Sequence, residues 1–185
     1  MNTGQTMLTV AALTLLTVIT LRYFASVGQS GENLSVTNSG LTATTIATSY
    51  IERAQGTAFD HGTSEDQEVS LDSVQKHYDI ILTAPGSLGA ETAGEMMSPD
   101  SANDFDDFAY FGASNPFVYI PVGINETFKV EFKVYYVDTN NVNASVGVNY
   151  RTFVKKMDIK VYRVVEDTVK VVSVDMSAIS GFFRP

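Results

Sequence analysis

Residues Met7 to Phe24 form an apolar run whose only charge is Arg22. As a helix this run rises about 27 Å, close to the hydrocarbon thickness of a bilayer. A helix that is apolar on every side has to be buried on every side. A chain of 185 residues cannot bury such a helix within its own core, so lipid or sister helices must cover it. Thr3, Thr6, Thr9, Thr14, Thr17 and Thr20 lie in or just before the run. A threonine hydroxyl can bond the carbonyl one turn back, which lets it persist in an apolar medium. Small polar residues also allow helices to pack closely.

A secretory signal would need a positive start and a small-residue cleavage site. No Lys or Arg precedes Met7, and Ala25-Ser26-Val27-Gly28 is a poor cleavage site. A membrane anchor and a filament-core helix fit the run better. The rest of the chain has enough apolar material for one core, with 44% hydrophobic residues and a net charge of -9. No basic excess points to nucleic acid. Cysteine is absent, which removes disulfides, thiol catalysis and zinc-thiolate sites together. Charge is zoned. Residues 1–50 carry only Arg22 and Glu32, Asp60 to Asp107 is acidic with Lys76 as its base, and bases slightly outnumber acids from Phe128 onward.

Four segments follow from the pattern: an apolar helix over 1–24, an amphipathic continuation over 25–56, an irregular acidic connection over 57–116, and an antiparallel sheet over 117–185. Residues 25–185 are expected to form one globular domain. Leu34, Leu41, Ile46, Tyr50 and Ile51 predict the buried side of the continuing helix. Gly28 and Gly31 each weaken a helix by roughly 1 kcal/mol and predict a soft or unwound section. Gly56 is a stop signal, and a helix from residue 5 to there is about 75 Å long. In the connection, Glu68 to Val74 and His77 to Thr83 read as short extended pieces, and Pro85-Gly86 as a turn.

From Phe117 the period changes to two. Phe117 to Val122 is a short strand whose Pro121 suggests an edge or a strand end. Phe128, Val130, Phe132, Val134 and Tyr136 face one way, and Lys129, Glu131 and Lys133 the other, as in a half-buried antiparallel strand. A third strand is expected over Val146 to Val164, with Met157, Ile159 and Val161 alternating against Lys156, Asp158 and Lys160. Glu166-Asp167 turns into a fourth strand, Thr168 to Met176. The fold class is α+β, a long N-terminal helix packed on a four-stranded antiparallel meander.

Chemical motifs are sparse. Asp100, Asp104, Asp106 and Asp107 are hard-oxygen candidates for calcium, although the EF-hand glycine and terminal glutamate are missing. A solvated loop is the plainer reading, with Phe105, Phe108, Tyr110 and Phe111 pinning it to the sheet. His61 and His77 lie in no metal-ligand spacing. No nucleophile elbow, P-loop or dinucleotide fingerprint occurs, so neither an enzyme nor a cofactor is expected. Asn125-Glu126-Thr127 and Asn143-Ala144-Ser145 match the glycosylation sequon.

The long helix, irregular connection and meander together resemble a type IV pilin or pseudopilin. Such precursors are cut after a glycine, and Gly4-Gln5-Thr6-Met7-Leu8-Thr9-Val10 is similar to that site. Ser49 to Phe59 and Asp104-Phe105-Asp106-Asp107-Phe108 show looser likenesses. The resemblance implies prepilin cleavage between Gly4 and Gln5, methylation of the new terminus, and a filament-core helix carrying Met7, Leu8, Val10, Leu13, Leu16, Ile19 and Leu21. The glutamate usual at the fifth mature position falls on Thr9, so its pairing with a neighbour's amino terminus is weak or absent. The proline that often follows the apolar run falls on Ser26. In a second register Met1 is the mature first residue, Gln5 takes the glutamate position and Arg22 the proline position. The implied partners are copies of the chain in a homopolymer, the bacterial inner membrane before assembly, and pilus assembly machinery. The implied final location is an extracellular filament, used for adhesion, surface motility, DNA uptake or secretion. A membrane-anchored monomer that binds an extracellular ligand is the alternative.

Overall fold

The computed structural model describes residues 3–63, 81–165 and 168–182. The fold is α+β, as the periodicity predicts. Helix α1 spans Thr3–Gln55, and the strands are β1 Phe117–Tyr119, β2 Thr127–Tyr136, β3 Val154–Val165 and β4 Thr168–Gly181. The sheet is antiparallel throughout in the order β1-β2-β3-β4. Two compact units divide between Ser39 and Gly40. Residues 25–38 leave every side chain exposed.

In the first unit α1 is long and apolar enough to cross a membrane, and none of its apolar window is buried. Its threonines behave as an apolar setting requires. Thr9 Oγ1 donates to the Gln5 and Thr6 carbonyls at 3.0 and 2.9 Å, Thr14 to Val10 at 3.0 Å, Thr17 to Leu13 at 2.8 Å and Thr20 to Leu16 at 2.8 Å. The expected unwinding at Gly28 to Gly31 is absent: α1 stays helical there. Glycine lowers helix propensity through backbone entropy, but it keeps its N–H and C=O and so removes no hydrogen bond. A Cβ at Gly28 or Gly31 would meet nothing within 4 Å.

In the second unit the last turns of α1 pack on the sheet. The buried seam is Ala43, Ile46, Ala47, Tyr50 and Ala54, at three- and four-residue spacing. Leu41 does not join it and is 65% exposed, as is Leu34 in the first unit. The alanines add little bulk to this seam, and Tyr50 fills its centre. The Tyr50 ring makes edge contacts with Phe132 at 5.5 Å and with Phe117 and Tyr119 at 6.4 Å. The helix stops where Gly56 predicts, its N–H donating to the Arg53 and Glu52 carbonyls at 2.9 and 3.2 Å.

Phe128, Val130, Phe132 and Val134 of β2 meet Met157, Ile159 and Val161 of β3 on the core face. The other face pairs opposite charges across strands, Glu131 beside Lys160 and Lys160 beside Asp175. β1 is an edge strand, as Pro121 suggests. β3 begins at Val154 rather than Val146, because the preceding residues are held by other means. Val148 N–H donates to the Tyr136 carbonyl at 2.9 Å, and Gly147 lies so close to Tyr135 that a Cβ would approach its Cβ to 2.8 Å. β4 extends past Met176 to Gly181. The expected strand Glu68 to Val74 and the turn Glu166-Asp167 lie outside the described residues, as do residues 77–80. Ile81 to Thr83 lie in no strand.

Two expectations follow. Ala47→Leu overpacks the seam and lowers stability by about 1–3 kcal/mol, measured by denaturant melts of the full chain in detergent. Gly28→Ala and Gly31→Ala each stabilise the helix by about 1 kcal/mol, seen as slower amide exchange across residues 25–35.

Candidate functional site

Two features stand out: the exposed helix face of the first unit and a buried charged cluster in the second. Met7, Leu8, Val10, Leu13, Leu16, Ile19 and Leu21, the predicted filament-core residues, are all exposed, between 56% and 78%. Gly4 and Gln5, the predicted cleavage pair, are exposed within the first turns of α1. Asn125 and Asn143 of the sequons are exposed.

The buried cluster forms where the connection crosses the end of the sheet. Lys155 shares a face with Met157, Ile159 and Val161, so its side chain enters the core and is fully buried. Its ammonium group donates to Asp60 Oδ2 at 2.5 Å, Asp106 Oδ1 at 2.7 Å and the Phe59 carbonyl at 3.0 Å. All three ammonium protons are thereby used. The Phe59 and Tyr136 rings flank the cation, with centroids at 4.7 and 5.2 Å. Asp60 Oδ1 also accepts from the Gly62 and Thr83 N–H groups at 3.1 and 3.0 Å. Gly62 has to be glycine, since a Cβ would lie 2.3 Å from the Ile81 carbonyl oxygen. The Tyr136 hydroxyl sits 2.8 Å from the Thr83 carbonyl and 3.1 Å from Asp60 Oδ2. Burial, then the Asp60 and Asp106 charges, push its pKa well above the usual phenol range.

The aspartate-rich segment departs from a solvated loop. Asp104, Asp106 and Asp107 are fully buried. Phe105, Phe108 and Phe111 pin the segment to the sheet as expected, whereas Tyr110 stays exposed. Each of Asp104 and Asp107 holds the loop's own backbone with one oxygen. Asp104 Oδ1 accepts from the N–H groups of Asp106 and Asp107 at 3.0 and 3.2 Å, and Asp107 Oδ2 from those of Asn103 and Asp104 at 2.9 and 3.2 Å. The remaining oxygens, Asp104 Oδ2, Asp106 Oδ2 and Asp107 Oδ1, are buried and have no hydrogen-bond partner among the described residues.

The four predicted calcium ligands do not come together. Asp100 is exposed and pairs with Arg53, its Oδ1 3.6 Å from Nη1, while Arg53 Nη2 donates to the Asp100 carbonyl. Asp106 is engaged with Lys155. Asp104 and Asp107 instead adjoin residues that sequence spacing passes over. Oxygens of Glu91, Glu95 and Asp107 lie within 4.8 Å of one another, as do ligand atoms of His61, Glu91 and Asp104. Both sets could hold a metal ion. His61 Nδ1 is 3.9 Å from both Glu91 Oε2 and Asp104 Oδ2. His77 lies outside the described residues. Lys155 had a sequence signal, because the strand period places it on the core face; Glu91 and Glu95 had none, because the loop alone brings them in.

Crowded acids resist ionisation. Burial, then the Asp106 charge, push Asp104 up to about 9; burial, then Asp106 and Asp107, push Glu91 up to about 7. Burial also raises Asp107. No protein-family model matches the chain, and no curated protein or solved structure matches it.

Lys155→Met leaves two buried carboxylates uncompensated and destabilises the chain by about 3–5 kcal/mol in denaturant melts. The pH dependence has a defined sign. Asp104 and Glu91 titrate above their unfolded values, so the folded chain binds more protons between about pH 4 and pH 9. Stability in chelator therefore falls as pH rises from about 4, and the loss is complete once pH passes the folded values of about 7 and about 9. Melts at pH 5 and pH 9 measure it, and Asp104→Asn reduces the difference.

Proposed function

We propose that this chain is a structural subunit of a type IV pilus-like extracellular filament. The observation that carries the reading is the fully exposed apolar stretch from Met7 to Leu21, whose polar side chains, the threonines, bond to their own helix. Such a surface is stable in lipid or against other copies of itself. Burial contributes about 25 cal/mol for each Å² removed from water. The helix sits in the bacterial inner membrane first, cleavage frees Gln5, and assembly machinery transfers the subunit to a growing polymer. Helices bundle along the axis while the sheet units form the wall, and head-to-tail repetition of one interface gives an open helical filament. No enzymatic activity belongs to this reading.

Leu16→Lys tests it. A lysine at the centre of a spanning helix costs about 2.5–3.5 kcal/mol for insertion. The wild-type chain is expected in sheared filaments with Gln5 as its first residue. The variant is lost from both filaments and membranes while its sheet unit stays folded. Wild-type chain that stays membrane-bound, never enters a sheared polymer and keeps residues 1–4 would point instead to an anchored monomer.

A further inference from the structure

The filament reading leaves the acid cluster without a role. We propose that Glu91, Glu95, Asp104 and Asp107 bind one calcium ion, seated at the Glu91 carboxylate that both sets of neighbouring ligand atoms share. Three observations carry this site.

The first is spacing. Calcium takes oxygens at about 2.3–2.6 Å, so opposite ligands stand roughly 5 Å apart. The Glu91, Glu95 and Asp107 oxygens fall within 4.8 Å of one another, inside that diameter. The second is the pair of oxygens Asp104 Oδ2 and Asp107 Oδ1, buried atoms with no hydrogen-bond partner among the described residues, on fully buried side chains. A buried carboxylate oxygen without a partner is costly, and a cation supplies what the protein does not. These ligands are already oriented, since backbone N–H groups hold the other oxygen of each. Glu95 is oriented through both oxygens: Oε2 accepts from the Glu91 and Thr92 N–H groups at 3.1 and 2.9 Å, and Oε1 from Asn103 Nδ2 at 2.9 Å, each keeping a further lone pair.

The third is charge. Glu91, Glu95, Asp104, Asp106 and Asp107 crowd one another, and the neighbouring Lys155 ammonium is committed to Asp60 and Asp106. A divalent ion offsets two of the four charges that Glu91, Glu95, Asp104 and Asp107 can carry. An all-carboxylate set selects a hard cation, and irregular loop ligands suit calcium better than the strict octahedron of magnesium. Zinc prefers nitrogen and sulfur, and here only His61 stands at the margin.

The test uses the full chain in detergent, stripped with chelator and titrated with calcium chloride by calorimetry and thermal melts. One ion per chain is expected, with a dissociation constant on the order of 10⁻⁴ M or tighter. Binding to the folded state alone raises the melting midpoint, and equal magnesium raises it less. Glu91→Gln lowers calcium affinity at least about tenfold and removes the thermal shift; its side chain is 33% exposed, so the fold tolerates the amide. Asp107→Asn does the same where it folds. The proposal fails if calcium gives neither heat nor shift, if Glu91→Gln responds like the wild type, if Asp100→Asn abolishes binding instead, or if zinc binds more tightly in a His61-dependent way. Filament assembly does not enter these readouts, so failure here leaves the filament reading standing.

Discussion

The second unit depends on one ammonium group. Lys155 joins three parts of the chain that share no secondary structure: the residues just past the helix, through Phe59 and Asp60; the acidic loop, through Asp106; and the sheet, from which it rises beside Tyr136. A buried ion pair is a weak source of net stability, because desolvation offsets most of the attraction. It is a strong source of position, since a misplaced loop would strand a lysine and two aspartates in a dry interior. An apolar residue at 155 would pack against many arrangements of the connection, whereas the ammonium accepts one. The loop's own carboxylate-to-amide bonds, at Asp104 and Asp107, then fix its local path.

Much of the fold is legible because it is local. Alternation in β2 and β3 gives the core face directly, and Gly56 marks the helix end. The helix departs from its pattern in two ways with different causes: Gly28 and Gly31 keep their backbone hydrogen bonds and stay helical, and the large residues are not the buried ones. Leu34 and Leu41 were expected inside because they are large, yet the buried seam uses Ala43, Ala47 and Ala54. Hydrophobicity says which residues favour burial. It does not say which face of the helix meets the sheet, and here that face carries small residues around Tyr50. The start of β3 differs because Val146 and Val148 look like strand residues, whereas Gly147 lies against Tyr135 and the Val148 N–H bonds the Tyr136 carbonyl.

The charged cluster was far less legible. Aspartates are solvated far more often than buried, so Asp104, Asp106 and Asp107 gave no warning in isolation. The warning lay elsewhere, in a lysine occupying an inward register position. A core lysine requires buried acids, and the nearby connection is the acid-rich part of the chain. Glu91, Glu95 and His61 enter only through folding of the loop in three dimensions, which spacing along the chain does not encode.

The threonines of the first unit have a consequence for recognition. With Oγ1 turned back on a carbonyl, each hydroxyl is already occupied, and the group left to face outward is a methyl. The helix surface between Met7 and Leu21 thus behaves as hydrocarbon despite its composition, with Thr standing in for Val. It offers no outward donor to a neighbouring helix, so a companion would be selected by the contour of ridges and hollows rather than by polar pairing. Register along such a surface is set by shape alone, and sliding by one helical turn meets little chemical resistance.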